Sequence, residues 1–397
     1  MTLLKVAVLG VGNRAQAHLQ TIRCLADLCQ LVGVCDANPD RVSVVAKQLN
    51  VPGFTRLERL LTEVAPDLLY VIIPADGHRA AVEIAARHGV HVISETPIAP
   101  TLPLADAMIV SAQRYGVKLE VAENVWRWPS ERLKLKIIQA GLIGQVTQVH
   151  LWYHSGSYHG MSTVRQLVGR PPIRACGFAR ETPVPPHRNA AGALLTSGPY
   201  ELGLVEFAGG AVCVYQYPVY HYRRNYWDAI GDAGAIIGTE LVMVHDGARQ
   251  TYPIRQTIDS SSGTPTLERV YVETDPPIVW ENPLRAFPIG SGADDVARAD
   301  ILVTTRRAIQ EGGDVAYGAT NARTDQEILI AIRESALHDG SWVDLPLSGI
   351  TEAERHLHDE YRRRYGHDPL TPAAEALSVL YPQVGLPQAP RGPAEHG

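Results

Sequence analysis

Residues 5–15, with the sequence KVAVLGVGNRA, decide the fold of the amino-terminal part of this chain. The continuous apolar run at 6–11 predicts a β-strand that is buried on both faces. The glycines that follow fit the pattern GxGxxA. Gly10 permits a tight turn, and Gly12 lets the backbone approach a pyrophosphate. The helix expected next would direct its amino end toward the phosphates. The stretch therefore predicts a strand, a turn and a helix that bind a dinucleotide.

An acidic residue supports this prediction. Asp36 ends a second predicted strand, residues 31–36, and follows Gly12 by 24 residues. A carboxylate at this position would accept hydrogen bonds from both ribose hydroxyls and repel a 2′-phosphate, which favours NAD over NADP. The alternative is that the glycines form an ordinary tight turn and that Asp36 caps the loop 36–39.

Strands and helices are predicted to alternate up to residue 123. The predicted strands are 6–11, 31–36, 68–74, 91–95 and 118–123, and the predicted helices are 14–28, 41–49, 78–88 and 104–115. Such alternation is typical of an α/β fold with a doubly wound parallel sheet. We therefore expect a Rossmann domain over residues 1–123.

Strands predominate after Trp126. They are predicted at 145–154, 204–218 and 235–247, and Gly209-Gly210 indicates a hairpin. Residues 255–300 are rich in Pro, Ser and Gly, so we expect long loops there. Later helices are predicted at 293–310, 324–338 and 351–364. We expect an α+β domain with a large open, mostly antiparallel sheet over 124–347. Helix 324–338 would pack back near the Rossmann domain, and a helix with a Pro- and Ala-rich tail would occupy 348–397.

The composition excludes several classes of protein. A net charge of −6 argues against nucleic acid as a partner. No apolar run is long enough to span a bilayer, and the amino terminus lacks the features of a signal peptide. The five cysteines form no CxxC pair. We expect a cytoplasmic protein with reduced cysteines, no membrane contact and no metal site.

Four longer stretches carry a resemblance to a known family. They are VIIPADGHRAAVEIAARHGVHVISETP (71–97), VAENVWRWP (121–129), GLIGQVTQV (141–149) and DQEILIAIRESALHDGSWVDLPL (325–347). With the glycine turn, they resemble the glucose–fructose oxidoreductase, inositol dehydrogenase and rhizopine-catabolism family, Gfo/Idh/MocA. The resemblance implies that NAD lies across the edge of the Rossmann sheet and that the substrate lies between the domains. It also implies a homodimer or homotetramer formed through the large sheet.

The resemblance also assigns candidate site residues. Together with the glycine turn and Asp36, it implies cofactor binding by Gly10, Gly12, Asn13, Arg14, Asp36, Pro74, His78, Glu95, Thr96, Pro97 and Asn124. One position departs from the family, because its Glu-Lys-Pro motif reads Glu95-Thr96-Pro97 here. Threonine has no pKa near neutrality and cannot take over the proton transfer of a lysine.

A second family motif, Asp-x-Gly-x-His-x-x-Asp, aligns with residues 155–162. Its histidine is His159, but serines, Ser155 and Ser162, replace its two aspartates. His159 is the candidate catalytic residue, because a neutral imidazole accepts a hydroxyl proton at physiological pH. Tyr158 or His154 could assist. The alternative is that His159 caps a helix or contacts substrate without proton transfer.

A further cluster spans residues 217–227, with the sequence YPVYHYRRNYW. Its aromatic rings suit sugars, and Arg223 and Arg224 suit an anionic substrate. The alternative is a sheet edge or subunit interface. A metal site formed by His150, His154 and His159 lacks a carboxylate at suitable spacing.

Three functions are compatible with the sequence. The first is an NAD-dependent oxidoreductase that acts on a sugar-like or cyclitol hydroxyl, with His159 as proton acceptor. The second is a glycoside hydrolase that retains its NAD and works by transient oxidation and elimination. The third is a non-catalytic dinucleotide-binding subunit, which the missing lysine and aspartates would suit.

Overall fold

The computed structural model of this chain describes residues 2–153, 157–188, 194–217, 225–261 and 263–373. Its first part is a six-stranded sheet in which every pair of neighbours is parallel. The strands are β1 (Leu4–Leu9), β2 (Cys29–Cys35), β3 (Gly53–Phe54), β4 (Leu68–Val71), β5 (His91–Ser94) and β6 (Leu119–Val121). The helices are α1 (Asn13–Cys24), α2 (Pro39–Leu49), α3 (Leu57–Val64), α4 (His78–Arg87) and α5 (Leu102–Tyr115).

The strand order of this sheet is β3-β2-β1-β4-β5-β6, which confirms the predicted doubly wound sheet. The chain order reverses between β1 and β4. Open α/β sheets bind ligands in the crevice at such a reversal, outside the carboxyl ends of the strands. The loops that follow β1 and β4 therefore form the expected cofactor crevice.

The second part is a nine-stranded sheet in the order β14-β13-β12-β11-β7-β10-β9-β8-β18. Only β7 and β10 pair in parallel, so the prediction of a mostly antiparallel sheet is confirmed. Its strands are β7 (Val146–Trp152), β8 (Pro172–Arg188), β9 (Leu194–Phe207), β10 (Val212–Tyr217), β11 (Tyr226–Gly231), β12 (Gly234–Ile237), β13 (Glu240–His245), β14 (Ala248–Pro253) and β18 (Val343–Asp344).

Two predictions for this region are wrong. The strand expected at 235–247 is the antiparallel pair β12 and β13, because Gly238 has a φ of +55° and forms a turn. The stretch 255–292, where long loops are expected ahead of the predicted helix at 293–310, contains a third, three-stranded sheet. Its strands are β15 (Arg255–Asp259), β16 (Thr266–Val272) and β17 (Ile278–Glu281). Pro, Ser and Gly are frequent in this stretch and indicate turns. The short apolar pattern of β16, whose apolar residues are buried, was therefore not recognised as a strand.

The remaining helices are α6 (Pro129–Gln139), α7 (Ser157–Val168), α8 (Ala293–Glu311), α9 (Gly318–Leu337) and α10 (Glu352–Tyr365). Helix α9 begins before the predicted start at 324 and crosses β8 so closely that Gly177 would clash with Ile332 if it carried a Cβ atom. The same helix also contacts α5 and β6, so it joins the two large sheets. No helix within the described residues is long and apolar enough to cross a bilayer.

Candidate active site

The glycine turn after β1 is shaped for close approach of a ligand. Gly10 has a φ of +88°, and a Cβ atom there would lie 2.1 Å from the carbonyl oxygen of Ile72. Gly12 is the N-cap residue of α1, and no side chain caps this helix end. The first amide groups of a helix have no partner within the helix. The turn at Gly10 and Gly12, with the adjoining Asn13, therefore has the shape and the free amide groups that binding of a pyrophosphate requires.

Asp36 lies at the carboxyl end of β2 and is already well bonded. Its carboxylate accepts from the amide of Val11 at 2.9 Å and from the amide of Asn38 at 3.0 Å. Arg41 donates to the same carboxylate at 3.1 Å. The alternative function of capping the loop 36–39 is thus present. With a second contact from the same Arg41 nitrogen at 3.3 Å, each carboxylate oxygen already has two donors, so ribose hydroxyls would have to replace Arg41, whose side chain is 40% exposed.

The loop after β4 contains Pro74 and His78. His78 is fully buried. Its Nε2 lies 2.8 Å from the carbonyl oxygen of Ile73, and its Nδ1 lies 3.1 Å from that of Pro97. Burial lowers the pKa of His78, and the carbonyl oxygens of Ile73 and Ile98 act in the opposite direction. His78 therefore joins the β4 loop to the Thr96–Pro97 turn, and any effect on a cofactor would be indirect.

Glu95 is the centre of a buried charge cluster. Its Oε1 accepts from Arg14 Nε at 2.5 Å and lies 2.8 Å from His18 Nε2. Its Oε2 accepts from the amide of Thr96 at 2.9 Å. Although burial alone would raise it, Arg14 and His18 hold the pKa of Glu95 well below its usual range. The sequence analysis missed His18, although its spacing of four residues from Arg14 places both on one helix face.

Thr96 carries a hydroxyl group that does not exchange its proton near neutral pH. Its hydroxyl donates to Glu95 Oε2 at 3.2 Å. Burial raises the pKa of Tyr158, and a hydrogen bond with Thr96 acts in the opposite direction. The phenol therefore stays protonated near neutral pH. Thr96 and Tyr158 thus form a pair of neighbouring hydroxyl groups next to Glu95.

His159 lies on α7 and is paired with a carboxylate that the sequence analysis missed. His159 Nδ1 is 2.8 Å from Oε2 of Glu123, whose Oε1 accepts from the amide of Val125 at 3.0 Å. Glu123 is buried and lies two residues after the end of β6, at the last position of the strand predicted over 118–123. Ser162 donates to the carbonyl oxygen of His159 at 2.7 Å. Ser155 and His154 lie outside the described residues.

Several of these groups meet at one small pocket. Thr96, Tyr158 and Glu123 line it together with Asp325 of α9. The Asp325 carboxylate accepts from Arg165 Nε at 2.5 Å and also from the hydroxyl of Tyr317. Burial raises the pKa of Asp325 to about 7 against the opposing effect of Arg165. The sequence analysis did not identify Asp325, because only the fold brings α9 to this pocket.

Asn124 carries a polar atom that the protein leaves without a partner. Its Nδ2 donates to Asp294 at 2.5 Å, but its buried Oδ1 has no hydrogen-bond partner among the described residues. Trp128 donates to the same carboxylate at 2.8 Å. An amide group of a ligand, such as the carboxamide of nicotinamide, would satisfy this oxygen. The residues present thus fit the predicted cofactor.

The aromatic cluster at 217–227 is only partly described, because residues 218–224 lie outside the described part of the chain. Trp227 is buried and donates to Glu131 at 2.6 Å, and Tyr226 stacks on Trp152. Both residues belong to β11, which is an interior strand of the large sheet and not an edge strand. Arg223 and Arg224, on which the prediction of an anionic substrate rested, are not among the described residues.

Comparisons with known proteins give the same assignment for the amino-terminal part. A family model described as an oxidoreductase family with an NAD-binding Rossmann fold matches residues 4–123. D-apiose dehydrogenase of Paraburkholderia graminis is 34% identical over 145 residues, 35% of this chain and 37% of that protein. A glycosyl hydrolase family 109 protein of Streptomyces coelicolor is 28% identical over 160 residues, 38% of this chain and 34% of that protein. The chain thus aligns with little more than a third of either relative.

The similarity of folds extends further along the chain. An NAD-binding oxidoreductase from Klebsiella pneumoniae superposes with a TM-score of 0.70 and 19% sequence identity. The match covers 87% of this chain and 100% of that structure. Both the parallel sheet and the large mixed sheet therefore belong to one known fold.

Proposed function

Because this chain belongs to the Gfo/Idh/MocA oxidoreductase family, whose NAD-binding Rossmann fold matches residues 4–123, we propose that it is an NAD-dependent oxidoreductase. Its substrate would be a sugar-like or cyclitol molecule, from which it oxidises one hydroxyl group. The observation that supports this best is the pair of His159 and the buried Glu123, whose carboxylate lines the same small pocket as Thr96 and Tyr158.

The cofactor site is proposed at the crevice between β1 and β4. The backbone of Gly10, Gly12 and Asn13 would hold the pyrophosphate, and Asp36 the adenosine ribose. Asn124 would bind the carboxamide of the nicotinamide. Arg14, Glu95, Thr96 and Pro97 would form the wall beside the ring, and Pro74 and His78 the loop behind it. When bound, the nicotinamide supplies the acceptor for the two electrons and the hydrogen that leave the substrate carbon.

The protein's own residues handle the hydroxyl proton. Because Glu123 accepts the Nδ1 proton of a neutral His159, the lone pair of the ring is on Nε2. His159 Nε2 then accepts the substrate proton, and the buried carboxylate of Glu123 stabilises the imidazolium that forms. Tyr158 and Thr96 would orient the reacting oxygen through hydrogen bonds, without exchanging a proton. Glu123 is a positioning residue in this scheme.

The test is NADH formation by the purified protein with a panel of sugars and cyclitols. We expect His159→Ala to lower kcat by about 10²- to 10⁴-fold, because a positioned general base contributes about this factor. His245→Ala is the matched control, since His245 is exposed on β13 and should leave kcat unchanged. Absence of NADH with every substrate, although NAD binds, would contradict the proposal.

A second candidate function is glycoside cleavage with retained NAD. It is supported by the similarity to a glycosyl hydrolase family 109 protein and by the absence of the family lysine at Thr96. In this case the protein would cleave a chromogenic glycoside with no net change in NADH absorbance. If NAD binds but neither reaction occurs, the function of a non-catalytic dinucleotide-binding subunit is the one supported.

We also propose that the open face of the nine-stranded sheet forms a homodimer. Four exposed apolar side chains are neighbours on this face. Leu202 of β9 is paired with Phe178 of β8, and Leu204 of β9 is paired with Val214 of β10. The other face of the same strands is covered by α9. Exposed apolar patches on a sheet commonly mark an interface.

A further inference from the structure

The carboxyl-terminal part of the described chain, residues 351–373, runs back onto the Rossmann sheet region. We call it the C-terminal strap. The strap begins at Thr351, the N-cap residue of α10. Glu354, in the first turn of α10, forms a hydrogen bond with the start of α5. Glu354 Oε1 accepts from the amide of Leu102 at 2.7 Å, and His358 Nε2 lies 2.8 Å from the hydroxyl of Thr101. The strap is thus fastened to the amino end of α5.

The second anchor of the strap is on α4. Arg79 Nε donates to the carbonyl oxygen of Pro369 at 3.1 Å, and another nitrogen of Arg79 donates to the carbonyl oxygen of Thr371. Arg79 is itself buried and paired with Glu83 at 2.8 Å. Together with the contacts at α5, these hydrogen bonds hold the strap against α4 and α5, two helices of the parallel-sheet region.

Between the two anchors, the strap reaches the loop after β4. Tyr365 donates its hydroxyl proton to Asp76 Oδ2 at 2.7 Å, and Arg364 Nη1 lies 3.9 Å from the same oxygen. Tyr365 is buried, and burial together with Asp76 raises its pKa, so the phenol remains a donor at neutral pH. Asp76 lies between Pro74 and His78, the two loop residues that the sequence assigned to the cofactor site.

This loop is central to the cofactor crevice. It follows β4, the strand at which the sheet order reverses. On one side the strand end abuts the glycine turn, because a Cβ atom on Gly10 would contact the carbonyl oxygen of Ile72 at 2.1 Å. On the other side His78 contacts the carbonyl oxygen of Pro97 at 3.1 Å. A shift of the loop would therefore move both walls of the crevice.

We propose that the C-terminal strap is a positioning element of the cofactor site, and that Tyr365 fixes the 74–78 loop through Asp76 so that NAD meets a preformed crevice. This inference rests on the proposed function, since it requires NAD in that crevice. Preorganised loops raise affinity because their ordering cost is met before the ligand binds. The affinity for NAD should thus depend on the phenol of Tyr365, which follows its partner Asp76 by 289 positions in the sequence.

The test compares NAD binding by the full-length protein and Tyr365→Phe, using titration of protein fluorescence and the thermal midpoint Tm. Phenylalanine keeps the buried ring and leaves the anchors at Glu354 and Arg79 intact. We expect an about three- to tenfold higher Kd for NAD, the size of one hydrogen bond, with Tm changed little. Arg363→Gln, at an exposed neighbouring position of α10, should leave both values unchanged.

A double variant, Tyr365→Phe with Asp76→Asn, separates positioning from direct contact. If the two residues act through their mutual bond, the double variant should bind NAD no more weakly than the weaker single variant. An unchanged Kd in Tyr365→Phe, with or without a lower Tm, would overturn the inference and leave the proposed function standing. If the native protein does not bind NAD, the proposed function fails, and the inference fails with it.

Discussion

At the scale of single residues, the site is organised around two buried carboxylates. Glu95 joins the Gly-rich turn to the Thr96–Pro97 turn through Arg14 and His18. Glu123 joins the end of β6 to His159 on α7. A buried carboxylate is stable only when its oxygens are bonded. These bonds hold the cofactor crevice and the pocket in one arrangement.

Glu95→Gln should destabilise the fold near neutral pH. The substitution leaves Arg14 and His18 without the carboxylate that pairs with them. We expect a loss of about 1–3 kcal/mol in unfolding free energy, less than for a fully buried pair, because solvent screens the 34% exposed side chain of Arg14. The folded pKa of Glu95 is lowered, so its stabilising contribution is present above the unfolded value of about 4.3 and is lost as pH falls further.

Urea denaturation at pH 7 and about pH 3.5 measures this effect. The difference between native and Glu95→Gln protein should be larger at pH 7. Glu63→Gln breaks an exposed pair with Arg59 and should cost at most about 0.5 kcal/mol at pH 7. Equal stability of native and Glu95→Gln protein at pH 7 would show that the cluster contributes nothing.

At the scale of elements, prediction succeeded where the sequence pattern is regular. The continuous apolar runs located β1, β2 and β4, because strands buried on both faces leave such runs. It failed for β3, which has two residues and no period. It also failed for the third sheet, where turn-forming residues separate short strands. The predicted start of α9 at residue 324 was too late, because the helix begins at Gly318, before the apolar repeat that identified it.

Thr351→Ala tests the start of the C-terminal strap. Thr351 and Glu354 form a capping box, in which each side chain bonds the backbone amide of the other. Its loss should lower the unfolding free energy by about 1 kcal/mol, the usual value of an N-cap. Urea denaturation provides the measurement. Thr62→Ala is the control, because its hydroxyl donates to the carbonyl oxygen of Glu58 within α3, and it should have little effect. Equal losses of unfolding free energy in the two variants would contradict a specific role of the cap.

At the scale of the whole molecule, the open face of the large sheet is the proposed site of self-association. Light scattering should give a mass of at least twice the 43.3 kDa of one chain. Leu204→Glu would place a charge in the centre of the patch and should shift the protein to the monomer. Val110→Glu, at an exposed position on α5, serves as the control. A native protein that is monomeric at working concentration would overturn the proposed interface.

The sequence by itself determined the parallel sheet with its helices and the glycine turn, because these depend on local periodicity and short spacing. It also singled out His159 as a candidate catalytic residue. Only the tertiary structure decided which groups meet. Glu123 reaches His159 across 36 positions, and Tyr365 reaches Asp76 across 289. Such contacts leave no local pattern in a sequence, because they arise when separately formed elements pack against one another.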